Sequence, residues 1–321
     1  MNETEPKRPV RSIRRVIRLG VIALLLCGLA AGYYEFWLRR PIGEGPVHIP
    51  VDVAEFDSVW SERPVLLLGL GDSITAGFGS SPGRSHFDLI AHSRNDDFGD
   101  IQGICLKKVL PNLKTQNSAL SGTTSIELLE NSLPRIERQP NDVFGIVLLT
   151  TGGNDIIHNY GQSPPREGAM YGATLEQAEP WIENFQKRLG VILDEIESRF
   201  PGGCTIYLGN IYDPTDNVGD TQNAGLPRWP DGLQILDRYN EIIAGHCETR
   251  KNVHLVDIHS TFLGHGIHCR KFWMSHYSSK DPHYWYFDNL EDPNDRGYDA
   301  LRRVYLNEIS THLRGWFGNT E

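Results

Sequence analysis

The chain is punctuated by short apolar runs, the first of which, VLLLGLG at residues 65–71, is unbroken and ends in glycine. Such a run predicts a strand buried on both faces of a parallel sheet. Similar runs recur at 114–120, 144–151, 205–211 and 253–258, and between and after them lie helical patterns at 175–200, 233–246 and 294–313. Strands alternating with helices imply right-handed crossovers, and hence a three-layer α/β/α domain around an open parallel sheet. Ligands of such sheets bind beyond the carboxyl ends of the strands. The segments 78–99, 158–172, 212–232 and 259–293 are long for simple turns and are expected to build the rim of a pocket there. Aromatic residues at Trp273, Tyr277, Tyr284, Trp285 and Tyr286 favour ordered packing in the last of them.

A different pattern precedes the domain. Residues 19–38, LGVIALLLCGLAAGYYEFWL, are interrupted only by Glu35 and would span about 30 Å as a helix, one hydrocarbon core. Lys7, Arg8, Arg11, Arg14, Arg15 and Arg18 precede this run while Arg39 and Arg40 follow it, so the positive-inside bias predicts a cytoplasmic N-terminus and an exported body. The chain then divides into a basic cytoplasmic segment (1–18), a single transmembrane anchor (19–38), a linker (39–64) and one catalytic-sized domain (65–321). A cleaved signal peptide cut after Ala30 or Ala31 is the alternative; Tyr33, Tyr34, Phe36 and Trp37 suit a membrane interface and favour the anchor.

Charge changes the picture in one respect. Beyond residue 40 there are 23 Lys or Arg against 38 Asp or Glu, which disfavours nucleic acid as a partner. Export would make Cys105, Cys204, Cys247 and Cys269 candidates for two disulfides of undetermined pairing, or else four free thiols.

The chemistry concentrates where strands end. Gly71-Asp72-Ser73-Ile74-Thr75-Ala76-Gly77 sets a serine with small neighbours at a strand-to-turn junction. A nucleophilic serine needs that exposure, a base, and N–H donors for the oxyanion formed on attack at a carbonyl. A dinucleotide reading of these glycines fails, because Ile74 occupies the place of the third glycine. The second run leads into Asn117-Ser118-Ala119-Leu120-Ser121-Gly122-Thr123-Thr124-Ser125, and the third into Thr150-Thr151-Gly152-Gly153-Asn154-Asp155. Three neighbouring strands would thus bring a hydroxyl, a backbone N–H and a side-chain amide to one sheet edge.

The ordered blocks GDSITAGFG, NSALSGTTS and TTGGND resemble the GDSL/SGNH hydrolase superfamily over about residues 65–262. The resemblance implies a flavodoxin-like sheet and Ser73 as nucleophile. It also implies an oxyanion hole made of the Ser73 N–H, the Gly122 N–H and the Asn154 side chain. The family's last signature, an Asp, two residues and a His before Pro-Asn, is altered here. In Asp288-Asn289-Leu290-Glu291-Asp292-Pro293-Asn294 an acid stands where the histidine is expected, and a carboxylate of ordinary pKa is a much poorer base than imidazole. The nearest upstream histidine, His283, is therefore expected to act as base. Asp281 is its preferred orienting acid and Asp288 the alternative; His276 is the next histidine in line. His265, His268 and Cys269 lie close in sequence, but GHGIHC matches no specific zinc spacing, so no metal is assigned.

These readings converge on an extracytoplasmic, cofactor-independent serine esterase acting on a small-molecule, lipid or glycan ester. Acyl transfer to a sugar hydroxyl at the same site, and a non-catalytic glycan or lipid binder, are the other classes kept open.

Overall fold

In the computed structural model, which describes residues 10–318, five parallel strands form one sheet in the order β2-β1-β3-β4-β5. They are β1 (Val65–Gly71), β2 (Leu113–Asn117), β3 (Phe144–Thr150), β4 (Cys204–Gly209) and β5 (Val253–Val256). β1 and β3 pair in register from Val65 opposite Phe144 to Gly71 opposite Thr150, so both end at one level. That shared edge carries the Ser73 and Asn154 loops.

Both central strands are wholly buried because their side chains alternate between two cores. Val65, Leu67, Phe144, Ile146, Leu148 and Tyr207 point to one side, where the terminal helix Asp295–Gly318 packs. Leu66, Leu68, Leu70, Val147, Leu149, Ile206 and Leu208 point to the other, beneath the helices Leu175–Ser198 and Gly232–Thr249. The result is the expected three-layer α/β/α domain. β2 is the exception to the apolar-run rule: as an edge strand it buries only Leu113, and its polar LKTQN is solvated. The pairing continues past its end through hydrogen bonds from Ser118 N to Gly69 O (2.8 Å) and from Leu120 N to Gly71 O (3.0 Å).

Two expectations are corrected. The segment 39–64 is not merely a tether: Val47, Phe56 and Trp60 are buried in the core beneath the terminal helix. Arg296 and Arg303 of that helix hold the segment by donating to Gly45 O (2.7 Å) and Ile49 O (3.1 Å). The two disulfides are not formed, and all five cysteines are free. Cys269 packs in the core on one side of the sheet, whereas Cys204 and Cys247 belong to the other. Burial pushes the thiols of all three up to about 12.

His86 lies wholly buried between Tyr298 and Tyr305, with ring centroids 5.9 and 5.1 Å away, and neither ring nitrogen has a hydrogen-bond partner. Desolvation drives its pKa down to about 3. The unfolded chain takes up a proton near pH 6.5 that the folded chain refuses until about pH 3, so this site loses stability as the pH falls through that window. His86→Phe is therefore expected to raise stability by about 1–3 kcal/mol at neutral pH. In urea titrations the gain should widen between pH 6.5 and 4; a gain independent of pH would contradict the assignment.

Candidate active site

The turn that presents Ser73 depends on a residue without a side chain. Gly71 has φ +111°, and a Cβ there would stand 1.7 Å from Thr150 O, so only glycine lets β1 turn so close to β3. Asp72 follows in extended conformation and caps the short helix Ser73–Ala76, accepting from Ile74 N at 3.2 Å. Its other supports are Thr150 Oγ1, donating at 2.6 Å, and beyond that the Thr75 hydroxyl, 2.9 Å from Thr150 Oγ1. Asp72 is buried, and desolvation outweighs these hydrogen bonds to lift its pKa to about 6. It shapes the turn, leaving Ser73 half-buried at the floor of a cavity of about 380 Å³.

The loop bearing Gly122 is secured from two sides. Gly122 has φ +81°. Next to it, Thr123 O accepts from Asn154 Nδ2 at 3.0 Å, which ties the expected amide donor to the expected backbone donor. Below, the fully buried Asp155 accepts from Ser125 N (2.7 Å) and Ser125 Oγ (2.5 Å). Arg188 backs this pair, with Nε 2.7 Å from Ser125 Oγ and Nη2 3.4 Å from Asp155. Ser73, Gly153 and Asn154 line the same cavity.

The histidine expected as base lies against the segment ahead of the domain. His283 does pair with Asp281, Nδ1 to Oδ1 at 2.5 Å. Burial alone would raise the Asp281 carboxyl, but Arg296, 2.8 Å away, and His283 hold it low. This dyad, however, lies against the segment 39–64: a Cβ on Gly43 would fall 2.5 Å from the His283 ring. His283 does not line the Ser73 cavity, and neither do Asp292 and Gly122. Asp288 and His276 are exposed and do not line it either. The reason is local: Tyr284 N donates to Pro41 O (2.8 Å), fixing this stretch against the segment ahead of the domain.

Asp292 stands at the serine instead. It is buried, and the Ser73 hydroxyl approaches closely enough to stabilise its charged form, while Oδ1 keeps no fully formed hydrogen bond. Asn289 Nδ2 donates to the other oxygen, Oδ2, at 2.7 Å, and Asn289 Oδ1 receives Asp292 N at 3.2 Å. Desolvation prevails over the Asn289 hydrogen bond and the nearby Ser73 hydroxyl and raises the Asp292 pKa. Asn294, whose Nδ2 bonds Tyr284 O and Tyr286 O at 2.9 and 3.0 Å, anchors the Pro-Asn turn behind it. Asn289 and Asp292 thus occupy the two positions of the Asp-x-x-His signature. The Pro293-Asn294 pair was the signal that could have located them.

The cavity walls come largely from the long segments singled out by sequence. Tyr160, Tyr171, Tyr212, Leu226, Trp229 and Leu290 contribute, whereas 78–99 does not. Burial also raises the Glu291 carboxyl, which receives the Tyr160 hydroxyl. His265 is stacked on Trp285 at 3.5 Å, and His268 Nε2 lies 2.8 Å from Asp220 Oδ1, so both are engaged in packing. Among the described residues no group of three or more His, Cys, Asp or Glu is arranged to hold a metal ion.

A serine on a strand-to-helix turn, sharing a cavity with Gly153 and Asn154 at the edge of a five-stranded parallel sheet, fits a hydrolase of the α/β/α class. Residues 70–300 match the GDSL-like Lipase/Acylhydrolase family, and the chain belongs to that family. It is 22% identical over 247 residues to the uncharacterised protein YpmR of Bacillus subtilis (strain 168), covering 76% of this chain and 82% of that one. Among solved structures it resembles the extracellular lipase of Streptomyces rimosus, with a TM-score of 0.50 and 18% identity over 76% of this chain and 99% of the other. It also resembles Axe2, an acetyl-xylooligosaccharide esterase from Geobacillus (TM-score 0.46, 16% identity, 78% and 96% covered).

Proposed function

We propose that the chain is a serine ester hydrolase in which Asp292, rather than an imidazole, takes the proton of Ser73. The observation that carries this reading is the buried carboxylate of Asp292 near the Ser73 hydroxyl, with Oδ1 lacking a formed hydrogen bond and Asn289 holding Oδ2. An exposed carboxylate would be too weak a base; desolvation strengthens it, as its raised pKa records. In the first step Ser73 Oγ bonds to the ester carbonyl carbon and its proton moves to Asp292. The oxyanion is received by the Ser73 and Gly122 N–H groups and by the Asn154 amide. Asp292 then gives the proton to the departing alkoxide as the ester C–O bond breaks, leaving an acyl group on Ser73. Water then attacks the acyl carbon with its proton passing to Asp292, and as the bond to Ser73 Oγ breaks Asp292 returns that proton to Ser73 and the acid is released. No cofactor enters. The dyad Asp281–His283 serves in this reading to pin the segment 39–64 to the domain.

The helical segment Arg14–Leu38 contains an 18-residue stretch with a mean hydropathy of 2.1, none of it buried, and is long and apolar enough to cross a membrane. The excess of Arg before it supports a cytoplasmic N-terminus and an extracytoplasmic domain; Lys7 and Arg8, part of that excess, lie outside the described residues. The hydrolase reading is tested by following release of p-nitrophenol from a short soluble ester. Wild type should turn it over with an initial burst, and Ser73→Ala should lose more than about 10³-fold of kcat. Equal turnover by Ser73→Ala would overturn it.

A further inference from the structure

The last turns of the apolar helix do not end in solvent. Phe36 packs edge-on to Phe272 and Trp273, with ring centroids 5.8 and 5.0 Å away, and Trp37 lies 5.7 Å from Trp273. The Lys271 ammonium sits 4.6 Å over the Trp37 ring. Glu35, the one acid in the run, is paired with Arg39 at 2.9 Å and with Arg270, which explains how a carboxylate is tolerated at the end of a span. Despite these contacts Phe272 remains 62% and Trp273 48% exposed, and Tyr33, Tyr34 and Trp37 are exposed beside them. Aromatic rings with basic groups at their edge are the composition of a membrane–water interface.

Two residues past Leu38 the chain touches a turn that contributes to the cavity wall. Arg40 donates to Asn223 O at 3.3 Å and lies 5.5 Å over the Tyr284 ring. Asn223 belongs to the turn Thr221–Ala224, of which Thr221 and Ala224 line the Ser73 cavity. The surface that the cavity offers is mostly apolar, with aliphatic Ile156, Ile157, Leu226, Leu233, Leu236 and Leu290 set among the aromatic rings. A glycan would call for more converging polar groups.

We propose that residues 270–273 lie in the bilayer interface beside the end of the span, holding the cavity mouth at the membrane surface, and that the ester cleaved is an acyl lipid of that membrane. The observations that carry it are the continuity of the aromatic patch with the apolar helix and the short path through Arg40 to the cavity wall. The substrate half rests on the hydrolase reading; the docking half does not.

The test uses the full chain in phosphatidylcholine vesicles, comparing wild type with the double variant Phe272→Ser, Trp273→Ser. Turnover of a fluorogenic phosphatidylcholine carried in the same vesicles should fall by at least about tenfold, and that of a short soluble ester should stay within about twofold. An unchanged thermal midpoint in the variant separates this from loss of fold. Equal effects on both esters, or none on either, would overturn the substrate half. Independently, a bimane label on Phe272→Cys should be quenched by nitroxide-bearing phospholipid far more than one on Asp142→Cys, in the exposed turn before β3. Equal quenching at the two positions would overturn the docking. If wild type cleaves neither ester, the hydrolase reading and the substrate half fall together, while the quenching still decides the docking.

Discussion

Asp292→Asn is expected to lower kcat/KM on a short soluble ester by about 10²–10⁴-fold, the range that a positioned general base contributes. The substitution keeps shape and volume, so loss of fold is not the expected cause. What it removes is the only acceptor for the Ser73 proton in the proposed mechanism. The pH profile should carry the same signature. Asp292 accepts a proton only when ionised, and burial lifts its pKa above that of an ordinary carboxylate. Activity should therefore rise with pH through an ionisation above about 3.8, with no dependence on an imidazole near 6.5. The double change Asn289→Asp, Asp292→His restores the Asp-x-x-His pattern at these positions. It should recover activity with the acid limb moved to about 6.5. An Asp292→Asn enzyme within about threefold of wild type would contradict the role.

Arg188→Ala is expected to cost about 3–5 kcal/mol, because it strands a buried charge. Asp155 is fully buried, and Arg188, itself 12% exposed, is its counterion as well as a donor to Ser125 Oγ and the partner of Glu167 at 2.8 Å. Desolvation already raises the Asp155 pKa in the presence of Arg188. With the guanidinium gone the carboxyl should protonate more readily and release the Ser125 hydrogen bonds that position the loop from Gly122 to Ser125. Chemical denaturation should show the loss of stability. The enzyme that remains folded should lose kcat more than it gains KM if, as proposed, the loosened loop supplies an oxyanion donor. A loss under about 1 kcal/mol would mean that the loop is held by its backbone alone.

The central strands, both cores and the three loops at the sheet edge were legible because each rests on a local rule. VLLLGLG and FGIVLLT can satisfy a doubly buried strand and little else, and Gly71 is demanded by the approach of Thr150. The polar edge strand β2 was legible only through its neighbours, since an edge need not be apolar. The proposal of Asp292 as base could not come from sequence for a physical reason: intrinsic basicity favours imidazole over carboxylate, and the burial of Asp292 cannot be read from its neighbours in sequence. His283 and Asp281 did form a pair, at a spacing unlike that of the family's signature, but the partner that fixed its position was the backbone around Pro41 and Gly43. The core role of Phe56 and Trp60 was likewise hidden in a segment whose prolines and glycines read as linker.

The central claim is that Ser73 is an activated nucleophile and that Asp292 activates it. Its most direct test is to treat the full chain with a fluorophosphonate probe and to map the modified peptide by mass spectrometry in wild type, Asp292→Asn and His283→Ala. The account predicts labelling at Ser73 in wild type, its near-complete loss in Asp292→Asn, and its retention in His283→Ala. Labelling that survives in Asp292→Asn and vanishes in folded His283→Ala would contradict it and return the role of base to the histidine.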